Sequence, residues 1–97
     1  MDELNRLIHQ PTRLRIMAAL VSLDEGDKAD FGFLRDLLDL TDGNLSAHLQ
    51  RLEEANYVAV EKTFEGRRPK TWIETTLEGR DAFAAHVNAL ECLIHDL

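Results

Sequence analysis

The stretch "EGRRPKT", Glu65 to Thr71, places three permanent positive charges within four consecutive residues. The guanidinium groups of Arg67 and Arg68 and the ammonium group of Lys70 are strong donors to phosphate or carboxylate oxygens. Pro69 restricts the backbone between these charges, so less conformational entropy is lost when the segment binds. The pattern predicts an exposed, anion-binding loop tip.

The remainder of the chain has the opposite charge. The formal net charge is −7, whereas residues 62–72 hold four cations (Lys62 and the three at the tip) against one carboxylate, or +3, leaving −10 elsewhere. Charges farther apart than about 8 Å are screened at physiological salt, so the local potential at the tip decides what binds there. We therefore expect a selective and salt-sensitive anion binder.

A second group of chemically useful residues lies on a predicted helix upstream of the tip. Leu45, Leu49 and Leu52 recur at i, i+4 and i+7 and form its buried face. Short side chains on the other faces allow close approach to a nucleic-acid groove, and longer ones can donate to base edges or phosphates. These candidates are Asn44, Ser46, Ala47, Gln50 and Arg51, with His48 at the edge of the apolar face as a packed histidine or a phosphate contact.

Other site chemistry has weaker support. Cys92 and His95 form a C-x-x-H pair on one helical face, which two chains could double into a metal site. No second cluster accompanies the pair, and no resolving cysteine is evident, so a metal or redox role for either residue stays open. The sequence contains no nucleophile and base arrangement, phosphate-cradling glycine loop or paired-carboxylate cleft. We expect no enzymatic activity and no cofactor, and we assign no residue as a metal ligand.

The elements that position these residues follow from periodicity and capping signals. Alternation between helical and β-type residues predicts helices first, then a hairpin, then a final helix. Phe64 and Trp72 are expected to pack the hairpin against the helices, with a ligand pocket at Trp72 as an alternative. The expected elements are a short helix at 2–8, a helix from Pro11, a loop at 24–30, a two-turn helix from Phe31, a helix capped by Thr41 or Asp42, a hairpin at 57–75, and a helix opened by a Thr75 and Glu78 capping box.

The final helix carries a regular apolar stripe. Its apolar residues follow spacings of 4, 3, 4 and 3, as in a coiled coil. A second apolar strip lies near the N-terminus, so both ends of the chain are candidates for self-association. The predicted dimerisation residues are Leu4, Leu7, Ile8, Phe83, Val87, Leu90, Ile94 and Leu97.

Length and composition indicate one domain. Ninety-seven residues with 44% hydrophobic and 30% charged residues suit a single globular unit spanning 1–97. No signal region and no apolar run of about 20 residues is present, so we expect neither export nor a membrane. The single cysteine suits a reducing compartment, and the predicted location is cytoplasmic.

A short helix, a tight turn, a second helix and a basic hairpin form the order of a winged helix-turn-helix. The segment "LTDGNLSAHLQRLEEANYVAVEKTFEGRRPKT" resembles the small winged-helix transcriptional regulators related to the MarR and ArsR groups. The stretches "HQPTRLRIMAAL" and "TTLEGR" extend the likeness over nearly the whole chain. The fold class expected from this resemblance is α+β, mostly α, with a two-stranded basic wing and a long C-terminal helix.

The resemblance implies a homodimer bound to double-stranded DNA. Residues 31–55 would form the helix-turn-helix, with Asn44–Ala55 in the major groove, and residues 57–75 the wing, which follows the backbone or minor groove. Residues 1–10 and 76–97 would form the dimer. A small-molecule effector is possible, while its identity, the operator and the sign of regulation stay open. The alternative is a winged-helix protein-interaction module that binds no DNA. Its acidic body would suit a basic protein partner.

Overall fold

The computed structural model describes residues 4–96, which form five helices and three strands. A small antiparallel sheet packs beside the helices, and its strand order is β1-β3-β2. In chain order the elements are α1 (Arg6–His9), α2 (Pro11–Val21), β1 (Ala29–Asp30), α3 (Phe31–Leu37), α4 (Asp42–Glu54), β2 (Val58–Glu65), β3 (Arg68–Thr75) and α5 (Leu77–His95).

The helix-turn-helix is α3, a short connection and α4. The helix α3 ends where Asp39 adopts a left-handed conformation with φ of 55°, and the Leu40 amide donates to the carbonyl of Arg35 at 3.0 Å. Thr41 then caps α4, because its hydroxyl accepts a hydrogen bond from the amide of Asn44 at 3.1 Å. The Thr41 alternative for this cap is confirmed.

The same type of termination joins α4 to the hairpin. Asn56 has φ of 62°, and the Tyr57 amide donates to the carbonyl of Leu52 at 2.9 Å. Asparagine tolerates this left-handed conformation better than most residues, so α4 stops at a defined point and β2 begins at Val58. The junction fixes the direction in which the hairpin leaves α4.

One hydrophobic core lies between α2, α4 and the sheet. The predicted apolar face of α4 is confirmed, since Leu45, Leu49 and Leu52 are at most 3% exposed. These side chains belong to one cluster with Met17 from α2 and Ile73 from β3. Burial of this kind stabilises each element that borders the core by about 1.5–3 kcal/mol per large side chain.

The sheet has a third strand that the sequence did not predict. Ala29 and Asp30 pair with Ile73 and Trp72 of β3, within the segment expected to be a loop. A strand of two residues is too short to show alternation of polar and apolar side chains. It is stabilised by its pairing with β3 and not by its own β-propensity. The sheet is therefore two-stranded at the hairpin tip and three-stranded at the base of the hairpin.

Several local expectations were wrong. The first helix begins at Arg6 rather than at residue 2, because Asn5 is its N-cap; the predicted residues 2 and 3 lie outside the described part of the chain. Thr76, not Thr75, caps α5, and the Glu78 carboxylate accepts a hydrogen bond from Asn56 at 2.7 Å instead of closing a capping box.

The two aromatic residues of the hairpin also behave differently from each other. Phe64 is 73% exposed and does not pack against the helices, because it lies beyond the sheet base near the hairpin tip. Trp72 is half-buried, and its indole donates to the Thr63 hydroxyl at 3.2 Å.

Within residues 4–96, no helix combines the length and apolar character needed to cross a bilayer.

Candidate nucleic-acid interface

The exposed side of α4 carries the predicted contact residues. Asn44, Ser46, Ala47, Gln50 and Arg51 are all exposed, whereas the leucines behind them are buried. Because a helix turns 100° per residue, positions 46 and 50 lie towards one flank, and positions 44, 48 and 51 towards the other. The structure thus presents one polar helix face with two chemically different flanks.

An open cleft separates α4 from the hairpin. Its volume is about 300 Å³, and it joins Ser46 and Gln50 of α4 to Lys62 of β2. The complete lining is Phe31, Ser46, Leu49, Gln50, Glu53, Val60, Lys62 and Thr71. Contact residues predicted from two separate segments, α4 and the hairpin, are therefore neighbours, and Phe31 is a neighbour that the sequence did not suggest.

The hairpin register divides the basic residues between two faces. Lys62 pairs with Thr71 and shares its face with Val58 and Val60, which point to the core side. Lys70 pairs with Thr63, one residue out of step, so strand alternation places it on the opposite face. The basic residues of the wing therefore do not form a single patch.

Lys70 already has partners within the chain. Its Nζ atom lies 3.5 Å from the carboxylate of Glu65 and 5.1 Å from the centre of the Trp72 ring. Arg67, in the turn, and Arg68, at the start of β3, are exposed and form no ion pair within residues 4–96. Of the three cations at the tip, these two arginines are the ones free to bind an external anion.

A charged bridge braces the turn of the helix-turn-helix. Arg35 contacts the carboxylates of Asp36 at 2.9 Å and Asp42 at 2.7 Å. Its hydrogen bonds to Asp36 and then to Asp42 raise the pKa of Arg35 above its usual value. All three side chains are accessible to solvent, so the bridge adds little to the stability of the fold. Its main effect is to orient α3 relative to α4.

The flank of α4 that faces away from the hairpin contains a second basic cluster. The guanidinium Nη1 of Arg13 in α2 lies 3.2 Å from Nδ1 of His48, and its Nε donates to the carbonyl of Leu7 at 2.6 Å. Burial, and then the charges of Arg13 and Arg51, lower the pKa of His48. The prediction that His48 is a packed, hydrogen-bonded histidine is consistent with these contacts.

Most of the cations that lack a carboxylate partner within residues 4–96 border α4 or the hairpin. Within residues 4–96, three cations form ion pairs with carboxylates: Lys28, Arg35 and Lys70. In a chain of net charge −7, cations without such a partner are unexpected. Eight cations in this part of the chain have no carboxylate partner, and five of them border α4 or the hairpin: Arg13, Arg51, Lys62, Arg67 and Arg68. The other three are Arg6, Arg15 and Arg80.

The predicted dimerisation residues have different environments. Ile8 is 0% exposed in its own chain, so its assignment to a partner surface is wrong: α1 uses it to pack against the core. Phe83 also packs against that core but is only half-buried. Leu4, Leu7, Val87 and Leu90 are half-buried, Ile94 is 65% exposed, and Leu97 lies outside the described residues.

A polar network that the sequence did not suggest joins α1 to α5. The Asn5 amide donates to Nδ1 of His86 at 3.0 Å, so this nitrogen carries no proton and Nε2 carries one. That Nε2 lies 3.4 Å from Nδ1 of His9, while the Asn5 side chain donates to the Tyr57 hydroxyl at 2.9 Å. His86 is 1% exposed on an otherwise apolar helix face, and its partners are too distant in sequence to be inferred.

We expect the free energy of unfolding to fall on acidification because of His86. Burial, and then His9, lower the pKa of His86 in the folded state. The contribution of neutral His86 to the free energy of unfolding is therefore complete above the unfolded pKa of about 6.5, and it is lost as the pH drops through the folded pKa. His86→Asn keeps an acceptor for Asn5 but does not titrate. Denaturant unfolding between about pH 7.5 and pH 5 should therefore show a shallower decline for this variant, by up to about 1.4 kcal/mol per pH unit.

The matched control is His95→Asn, which removes an exposed histidine from the end of the same helix. Its pH profile should follow that of the wild type. A His86→Asn variant that declines as steeply as the wild type would contradict this account of the network.

Together, the helix pair, the capped turn and the basic hairpin define a winged helix-turn-helix protein. The chain belongs to the winged helix DNA-binding domain family, whose model matches residues 12–94. The predicted resemblance and fold class are thereby confirmed.

Relatives with solved structures include transcriptional regulators. A transcriptional regulator homologue from Pyrococcus horikoshii OT3 is 32% identical, with a TM-score of 0.85 over 95% of this chain and 88% of that one. A putative MarR-family regulator from Enterococcus faecalis V583 is 27% identical, with a TM-score of 0.66 over 92% and 74%. Among relatives identified by sequence, an uncharacterised protein of Methanocaldococcus jannaschii is 37% identical to this chain, over 84% of this chain and 86% of that protein. The family and these neighbours support a transcription regulator.

Proposed function

We propose that this protein is a cytoplasmic, homodimeric transcriptional regulator that binds specific sequences in double-stranded DNA. The observation that carries the proposal is the placement of the unpaired cations. Lys62, Arg67 and Arg68 lie on the hairpin side of α4, and Arg13 and Arg51 on its other side. Within residues 4–96, five of the eight cations without a carboxylate partner surround this one exposed helix, which in an acidic chain favours an anionic partner there.

The dimensions of the elements suit the DNA major groove. An α-helix with its side chains is about 10–12 Å wide, and the groove is about 12 Å wide. With α4 in the groove, Gln50 and Asn44 reach base edges while the flanking cations meet the phosphates of the two strands. Lys62 faces the same cleft as Gln50, so the hairpin extends the contact along one backbone.

The C-terminal part of α5 is the proposed contact with a second chain. The last buried residue of the helix is Ala89, and residues 91–96 are all exposed. Leu93 and Ile94 are 54% and 65% exposed there, so this end of the helix presents apolar surface to solvent in a single chain. Leu90 continues the surface towards the core, and a second copy of the helix would cover it.

Titration with duplex DNA at several salt concentrations tests the proposal. Selection from a random duplex pool first yields the preferred sequence, which also defines the operator. We expect the logarithm of the binding constant to fall steeply with the logarithm of salt concentration, because each phosphate contact releases counterions. Absence of DNA binding at low salt would refute the proposal and favour the protein-interaction module.

Two substitutions should have different effects within this scheme. Arg67→Ala should weaken binding to all duplexes alike and reduce the salt slope by about 1.8 per dimer, because a phosphate contact carries little sequence information. Gln50→Ala should cost at least about 1 kcal/mol on the preferred duplex without an equal loss on random DNA. Equal behaviour of the two variants in these titrations would show that the assigned roles are wrong.

A further inference from the structure

The flank of α4 away from the hairpin has the geometry of an anion site. The guanidinium of Arg13 can only donate, so Nδ1 of His48 accepts and its ring proton is on Nε2. The Nε2 atom has no partner within residues 4–96 and is open to solvent. A second proton donor therefore points away from the Arg13 contact, next to the exposed cation Arg51.

The position of the arginine is defined by the fold. Arg13 lies in the first turn of α2, where its Nε is held by the carbonyl of Leu7, and its Nη1 by His48. It forms no ion pair with a carboxylate in the described chain, although acidic residues outnumber basic ones by 18 to 11. A cation held by neutral acceptors keeps its charge available for an external anion.

We propose that Arg13 and His48 form a binding site for a DNA backbone phosphate, and that His48 takes up a proton when the phosphate binds. This inference rests on the proposed function, since it requires α4 to enter the groove. It adds Arg13, from outside the helix-turn-helix, to the contact surface. The hairpin cations and this site then hold the two phosphate strands on opposite sides of α4.

The proton uptake follows from the charges that face His48. These are Arg13 from α2 and Arg51 from α4 itself, and α1 contributes the carbonyl of Leu7 through Arg13. Without DNA, burial and the two cations disfavour a charged imidazole. A phosphate at the site would accept from Nε2 and also from Nη1 of Arg13, which then releases Nδ1 of His48. Nδ1 takes up the proton, and the phosphate offsets the positive charges that disfavour the protonated ring. The bound state therefore holds more protons, and affinity rises as pH falls.

The test measures DNA affinity as a function of pH and salt for the full chain. For the wild type, we expect affinity to increase at least about threefold per site between about pH 7.5 and pH 6, on preferred and random duplexes alike. His48→Gln should lose this increase, while the matched variant His95→Gln retains it. Arg13→Gln should reduce the salt slope by about 1.8 per dimer on both duplexes.

The outcomes separate this inference from the function on which it rests. Circular dichroism at each pH checks that every variant compared is folded. If the wild type binds no duplex at low salt, the proposed function fails. If it binds with a salt slope that depends on Arg67, the proposed function stands. In that case, an unchanged salt slope in Arg13→Gln, or a pH dependence that persists in His48→Gln, would refute this site alone.

Discussion

Replacing Ile94 with aspartate is expected to convert the protein from a dimer to a monomer and to lower its affinity for specific DNA at least about 100-fold. Ile94 is 65% exposed in the single chain, so the substitution should cost the isolated fold little. In the proposed dimer, however, it would place a carboxylate in an apolar contact near its own symmetry mate, which costs several kcal/mol if water is excluded.

The loss of DNA affinity follows from the loss of symmetry. One helix-turn-helix contacts only a few base pairs, whereas a dimer reads two half-sites about 34–36 Å apart and adds their binding energies. Sedimentation at micromolar concentration measures the oligomeric state, and a titration with the preferred duplex measures the affinity. The circular dichroism signal of the helices should be largely retained.

Leu77→Asp is the matched control for this experiment. Leu77 is 64% exposed at the first position of the same helix, so it receives the same change at nearly the same exposure. This variant should remain dimeric, because the proposed contact lies at the other end of α5. A dimeric Ile94→Asp protein, or equal dissociation of both variants, would show that the C-terminal end of α5 does not form the interface.

Gly79→Ala is expected to lower the free energy of unfolding by about 3 kcal/mol, near the upper end of the usual cost of overpacking. A methyl group at position 79 would overlap the carbonyl oxygen of Tyr57 and lie 2.8 Å from the carbonyl carbon. Neither backbone can move freely, because the Thr76 amide donates to that same carbonyl at 3.1 Å and the Thr76 hydroxyl donates to the carbonyl of Asn56 at 2.6 Å. Denaturant unfolding followed by circular dichroism measures the effect.

Gly43→Ala provides the comparison for this change. An added methyl group there would meet nothing within 4 Å, so the helix should be unaffected or stabilised by up to about 1 kcal/mol. A similar loss of stability in both variants would contradict the close packing of α5 on Tyr57. The contact joins α5 to the junction between α4 and the hairpin. In the proposed dimer it would therefore help to set the distance between the two copies of α4.

Much of the local structure was predictable from the sequence. Pro11 begins α2, Thr41 caps α4, and three leucines at helical spacing form the buried face of α4. These predictions succeed because capping and helical periodicity involve residues no more than a few positions apart. The same periodicity indicated which side of α4 is polar, and hence most of the candidate contact residues on that helix.

The predictions that failed concern contacts between distant segments. The strand Ala29–Asp30 exists because β3 pairs with it, and Ile8 is buried because α1 packs onto the core. Neither fact is visible in the residues themselves: a two-residue strand shows no alternation, and an apolar strip looks the same whether its own chain or a partner covers it.

The sequence by itself determined the class of the protein: the order of its helices and hairpin, the buried face of α4, and the basic tip of the wing. Only the tertiary structure decided which of these charges act together. It placed Lys62 and Lys70 on opposite faces of the hairpin, and it brought Arg13 to His48 across 35 positions and Asn5 to His86 across 81. Periodicity acts over one or two turns of chain, whereas these contacts depend on how whole elements pack around one shared core.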